Sequence, residues 1–75
     1  MTTLVYGLAV AGRSTAQFLA SRGEPLVLAD DRVSPAHAEF AASLGAELLE
    51  GPEAAMRCAR RMGEFARIAP SPGVP

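Results

Sequence analysis

A chain of 75 residues is one small domain at most, and a single core at that size is marginal. A formal net charge of −1 excludes the basic excess of a general nucleic-acid binder, and a lone cysteine excludes an internal disulfide. All seven basic residues are arginines, so chemistry that needs a lysine amine is excluded as well.

Hydrophobic residues make up 49% of the chain, too many for a disordered segment. No apolar run approaches the roughly 20 residues that span a bilayer. Met1-Thr2-Thr3 is not a charged leader before an apolar stretch, so the expectation is a cytoplasmic protein with no membrane partner.

The chain opens with Thr3 to Tyr6, a continuously apolar run of the kind found in parallel strands. Gly7 to Gly12 reads as a loop. A helix follows from Arg13 or Ser14 to Ser21, with Ala16, Leu19 and Ala20 inward and Gly23 as its stop. Leu26 to Ala29 is a second strand, ending at Asp30-Asp31-Arg32. Ser34 caps a second helix with Pro35 at its first position. That helix runs to about Leu44, with Ala36, Phe40, Ala41 and Leu44 inward, and Gly45 ends it. Glu47 to Leu49 is a weak third strand. Pro52 opens a third helix with an apolar stripe of Ala55, Cys58, Ala59 and Met62, stopped by Gly63. Phe65 to Ala69 is a fourth strand, followed by the loop Pro70 to Pro75.

Alternation of this kind predicts one α/β domain over residues 1–75. Its fold class is a Rossmann-like, three-layer arrangement with a parallel sheet in the order 3-2-1-4. The chain reverses direction between strands 1 and 4, and a ligand crevice lies outside their carboxyl ends. The Gly7–Gly12 loop, Asp30 and the Ser71-Pro72-Gly73 loop converge on that rim. The chain stops as strand 4 finishes, which predicts a segment of a longer enzyme.

The glycine loop has several readings. Gly7 and Gly12 keep the outer spacing of the dinucleotide fingerprint G-x-G-x-x-G, with Asp30 at the distance of the ribose-binding acid, but Ala9 replaces the middle glycine. Gly7-x4-Gly12-Arg13-Ser14 approaches a phosphate loop, with arginine where the lysine belongs. The plain structural reading is a tight strand-to-helix turn in a small interaction domain that binds no nucleotide.

The far end adds Ser71-Pro72-Gly73-Val74 after a short strand. Together with Gly7-Leu8-Ala9-Val10-Ala11-Gly12-Arg13-Ser14, Gly23, Asp30-Asp31-Arg32 and Pro35, it resembles the N-terminal UDP-binding domain of the Mur ligases. The likeness is strongest to the members that add D-glutamate to UDP-N-acetylmuramoyl-L-alanine. The resemblance implies that Val10, Ala11 and Gly12 offer amides to the diphosphate, that Asp30, Asp31 and Arg32 surround the uracil, and that Ser71 and Gly73 approach from strand 4. It also implies a parent enzyme using ATP and magnesium in peptidoglycan precursor synthesis. The phosphate loop and metal ligands then lie in the remaining domains, so no catalytic or metal-binding residue is expected here. Ala9 and Ala11 depart from the family's usual Gly and Ser/Thr. The competing expectation is an NAD(P)-binding Rossmann domain of an oxidoreductase or a dinucleotide-sensing module.

Other residues read more plainly. His37 is expected at the surface, and Cys58 in the core. Arg57, Arg60 and Arg61 read as a solvated helix face. Arg13 opposes the helix dipole and so counts toward a bound phosphate.

Overall fold

The computed structural model describes residues 2–70. Its elements run β1 (Thr2–Tyr6), α1 (Val10–Ser21), β2 (Leu26–Asp30), α2 (Pro35–Leu44), β3 (Glu47–Glu50), α3 (Ala54–Arg60), a 3-10 turn over Met62–Glu64, and β4 (Phe65–Pro70). The four strands form one sheet in the order β3-β2-β1-β4, and every pairing is parallel. The expected α/β, Rossmann-like arrangement with order 3-2-1-4 is therefore present.

Side chains alternate across the strands and feed two cores. On one face, Val5, Leu26 and Leu28 pack with Leu8, with Ala16 of α1 and with Ala41 of α2. Leu19, Ala20, Phe40 and Leu44 close that layer. On the other face, Leu4, Val27, Ala29 and Leu49 pack with Cys58 of α3. Leu28 and Val5 are the largest fully buried side chains. Each is worth about 1.5–3 kcal/mol relative to an exposed position.

Local chemistry accounts for most boundaries. The Ser34 hydroxyl accepts the Ala36 amide, Pro35 stands in the first turn of α2, and Gly45 ends the helix in the left-handed region at φ 64°.

Three expectations need correction. Helix α1 starts at Val10, not at Arg13 or Ser14; extended Ala9 is its N-cap and supplies no side-chain acceptor. The buried stripe of α3 is Ala54 and Cys58, while Ala55, Ala59 and Met62 are exposed. In a run with alanines at 54, 55 and 59, the packing geometry chose a stripe that composition did not mark. On α2, Ala36 is exposed and His37 is buried in its place.

The α3 register has a direct check. Cys58→Ser places a hydroxyl in the core and should cost about 1–3 kcal/mol in urea unfolding. Ala55→Ser, on the exposed side, should stay within about 0.5 kcal/mol of wild type.

Candidate functional site

The first strand delivers the chain to the carboxyl edge of the sheet at Tyr6. Gly7 then turns at φ 98°, a conformation that strains any L side chain, while its N–H donates to the Ala29 carbonyl at 2.7 Å. Leu8 drops into the core, and Ala9 is extended with φ −71° and ψ −177°. The first intrahelical bond runs from the Arg13 N–H to the Ala9 carbonyl. The N–H groups of Val10, Ala11 and Gly12 therefore precede the helical ladder and have no intrahelical acceptor. No side chain among the described residues caps them, and the first turn holds no acidic residue. Val10 is 83% exposed. The result is an open cluster of donors at the positive end of a 12-residue helix dipole.

Asp30, the last residue of β2, faces this loop. One carboxylate oxygen accepts the Leu8 N–H at 2.7 Å, and the other accepts the Arg32 N–H at 2.8 Å. Burial pushes the Asp30 carboxyl up, but these two amides, with His37 and Arg32 nearby, outweigh it and hold the group below its ordinary value of 3.8. The carboxylate is a latch joining the glycine loop to the next turn. The ribose or uracil contact expected of Asp30 competes with these bonds.

Asp31 and Arg32 are exposed on the same rim. Asp31 accepts the Tyr6 hydroxyl, which ties the end of β1 to the β2–α2 turn. Burial and this bond push the Tyr6 phenol up to about 12, so it remains a donor at neutral pH. The Arg32 side chain makes no hydrogen bond or ion pair among the described residues. The carboxyl end of β4 lies beside that of β1, with Pro70 in register with Tyr6. Ser71 and Gly73 lie outside the described residues.

Two side chains differ from expectation. Arg13 does not reach toward the donor cluster: its Nε donates to the Leu8 carbonyl at 3.1 Å, and its guanidinium lies over the Phe40 ring. His37 is buried, at 8% exposure, with Nδ1 at 3.2 Å from the Arg32 carbonyl and 3.3 Å from Glu50 Oε2. Neither contact is visible in a local pattern, because each depends on parallel strand pairing or on a long side chain folding back.

A separate shallow groove lies at the amino end of β3, lined by Glu47, Leu49, Arg57, Arg60 and Arg61. Arg61 there is already held by Glu47 at 2.5 and 3.0 Å and by Glu64 at 3.1 Å. Among the described residues, no group of three or more acidic, histidine or cysteine side chains could hold a metal ion. No helix among them is long and apolar enough to cross a membrane.

Comparison with known proteins yields a close relative. The chain is 45% identical over 74 residues to the UDP-N-acetylmuramoylalanine--D-glutamate ligase of Chromohalobacter salexigens. The alignment covers 96% of this chain but 15% of that ligase. No family model matches the chain, and no solved structure matches it. The resemblance to the Mur ligases thus extends along nearly the whole chain, as the order of its short motifs indicated.

The latch makes a signed prediction about pH. A carboxyl depressed by folding stabilises above its unfolded value and loses that contribution as pH falls through the folded one. Asp30→Asn should therefore be least stable relative to wild type near neutrality. The gap should narrow below about pH 3.8. Thermal unfolding of both proteins between pH 7 and pH 2.5 measures it; a gap independent of pH contradicts the latch.

Proposed function

We propose that this Mur-ligase-like domain binds the uridine diphosphate end of UDP-N-acetylmuramoyl-L-alanine, within a longer ligase that adds D-glutamate to it. The observation that carries the reading is the uncapped start of α1, which follows β1 at the carboxyl edge of the sheet, β1 being the strand from which the order runs to β2 on one side and β4 on the other. The likeness to the Chromohalobacter ligase supplies the class of ligand.

In this reading the N–H groups of Val10, Ala11 and Gly12 donate to the diphosphate oxygens, and the helix dipole favours their charge. With no side-chain cap among the described residues, these donors are open to such an acceptor. Asp30 holds the loop at the required height. Asp31 and Arg32 meet the uracil, whose one N–H donor and flanking carbonyl acceptors suit a carboxylate and a set of donors. Ser71 and Gly73 complete the crevice from the strand 4 side. The binding of ATP and magnesium, and the joining of D-glutamate through an acyl phosphate, are assigned to the rest of the longer ligase, acting in the cytoplasm. This chain alone then forms no ADP in response to D-glutamate and the UDP-muramoyl substrate.

The reading predicts a substitution that removes one donor and little else. Val10 is the first residue of α1, exposed, and preceded by an extended residue, which is the setting proline prefers. Val10→Pro should leave the unfolding midpoint at or above that of wild type. It should weaken UDP binding about tenfold in calorimetry, the loss of one charge-assisted hydrogen bond. Parallel titration with NAD should give weaker binding than UDP. NAD binding tighter than UDP favours the oxidoreductase reading, and unchanged UDP affinity in Val10→Pro removes the amides from the site.

A further inference from the structure

The turn that carries Asp31 and Arg32 is held from behind by the buried His37 and the half-buried Glu50. We infer that His37 and Glu50 are positioning residues for the Asp30–Ser34 turn and, on the reading just given, for the uracil end of the ligand. His37 lies in the first turn of α2, and Glu50 ends β3 in register with Asp30 of β2. Nδ1 of His37 faces the Arg32 carbonyl at 3.2 Å and the Glu50 carboxylate at 3.3 Å. Both neighbours are acceptors, so Nδ1 carries the hydrogen and shares it between them. The same Glu50 oxygen accepts the Ser34 N–H at 3.3 Å. The Gly51 N–H reaches back to the Asp30 carbonyl at 3.0 Å.

These bonds fix the turn at successive points. Asp30 is held through its carbonyl and its carboxylate, Arg32 through its N–H and its carbonyl, and Ser34 through its N–H. The side chains of Asp31 and Arg32 are left pointing to the exposed rim. A binding surface of two exposed side chains depends on such support, because small displacements of a site cost affinity. The chemistry of the pair is directional. What matters is a donor at the position of Nδ1, one bond beyond Cγ, and not an imidazole as such.

That directionality separates positioning from the filling of volume. Asparagine places an amide N–H where Nδ1 stands, glutamine places one further out, and leucine fills space without a donor. With UDP as the probe and the whole 75-residue chain as the protein, His37→Asn should bind within about twofold of wild type. His37→Leu and His37→Gln should each weaken binding about tenfold, the equivalent of one buried hydrogen bond. Glu50→Ala, at a half-buried position, should reproduce the loss. Without ligand, the amides of Arg32 and Ser34 should exchange with solvent faster in the Leu, Gln and Ala variants, and at the wild-type rate in His37→Asn. The positioning role is overturned if His37→Asn loses as much affinity as His37→Leu, or if amide exchange in the turn is the same in all of them. A wild-type chain that binds no UDP overturns the nucleotide reading alone, since the exchange rates still decide the role of His37 and Glu50.

Discussion

One carboxylate organises the rim of this domain. Asp30 closes β2 and, in the same step, gathers the Leu8 amide from the glycine loop and the Arg32 amide from the following turn. Two segments that are 22 residues apart in the chain thereby share one anchor. The loop keeps the height that lets α1 begin at Val10, and the turn keeps Asp31 beside the Tyr6 hydroxyl. The Arg13 side chain adds a second tie to the loop through the Leu8 carbonyl. The loop is thus fastened at both the amide and the carbonyl of Leu8, while no side chain among the described residues caps the donors at the start of α1.

This arrangement explains why a helix can begin on alanine. Capping residues satisfy orphan amides from within the chain, and α2 uses Ser34 for that purpose. Helix α1 has Ala9 in the corresponding place. The two helices thus differ in the end that faces the rim: one is closed by its own side chain and the other is open to an external acceptor. The contrast agrees with a domain whose ligand is an anion.

The fold was legible because its signals are local. Apolar runs at Leu4–Tyr6 and Leu26–Ala29, the Ser34-Pro35 start and the Gly45 stop each act within a few residues, and parallel topology follows from their alternation. The order of short motifs, from Gly7–Ser14 through Gly23, Asp30-Asp31-Arg32 and Pro35 to Ser71-Pro72-Gly73-Val74, is equally readable, and it carries the family resemblance. What was not legible depends on contacts across the sheet. The engagement of the Asp30 carboxylate requires the loop to lie over the end of β2. The burial of His37 requires Glu50, which reaches it only because β3 pairs with β2 in a register that aligns Asp30 with Glu50. The early start of α1 is not marked in the sequence, because Ala9, Val10 and Ala11 carry no start signal of their own. The stripe of α3 keeps Cys58 but takes Ala54 in place of Ala55 and Ala59, because neighbouring alanines offer no contrast.

The central claim is that the open end of α1 and the adjoining turn form one nucleotide site. Mapping the backbone amide resonances of the chain during titration with UDP tests it most directly. The account predicts shifts concentrated at Val10, Ala11, Gly12, Asp31 and Arg32, with the amides of the Glu47–Arg61 groove unmoved. Shifts centred on Arg57, Arg60 and Arg61, with the start of α1 silent, would contradict it.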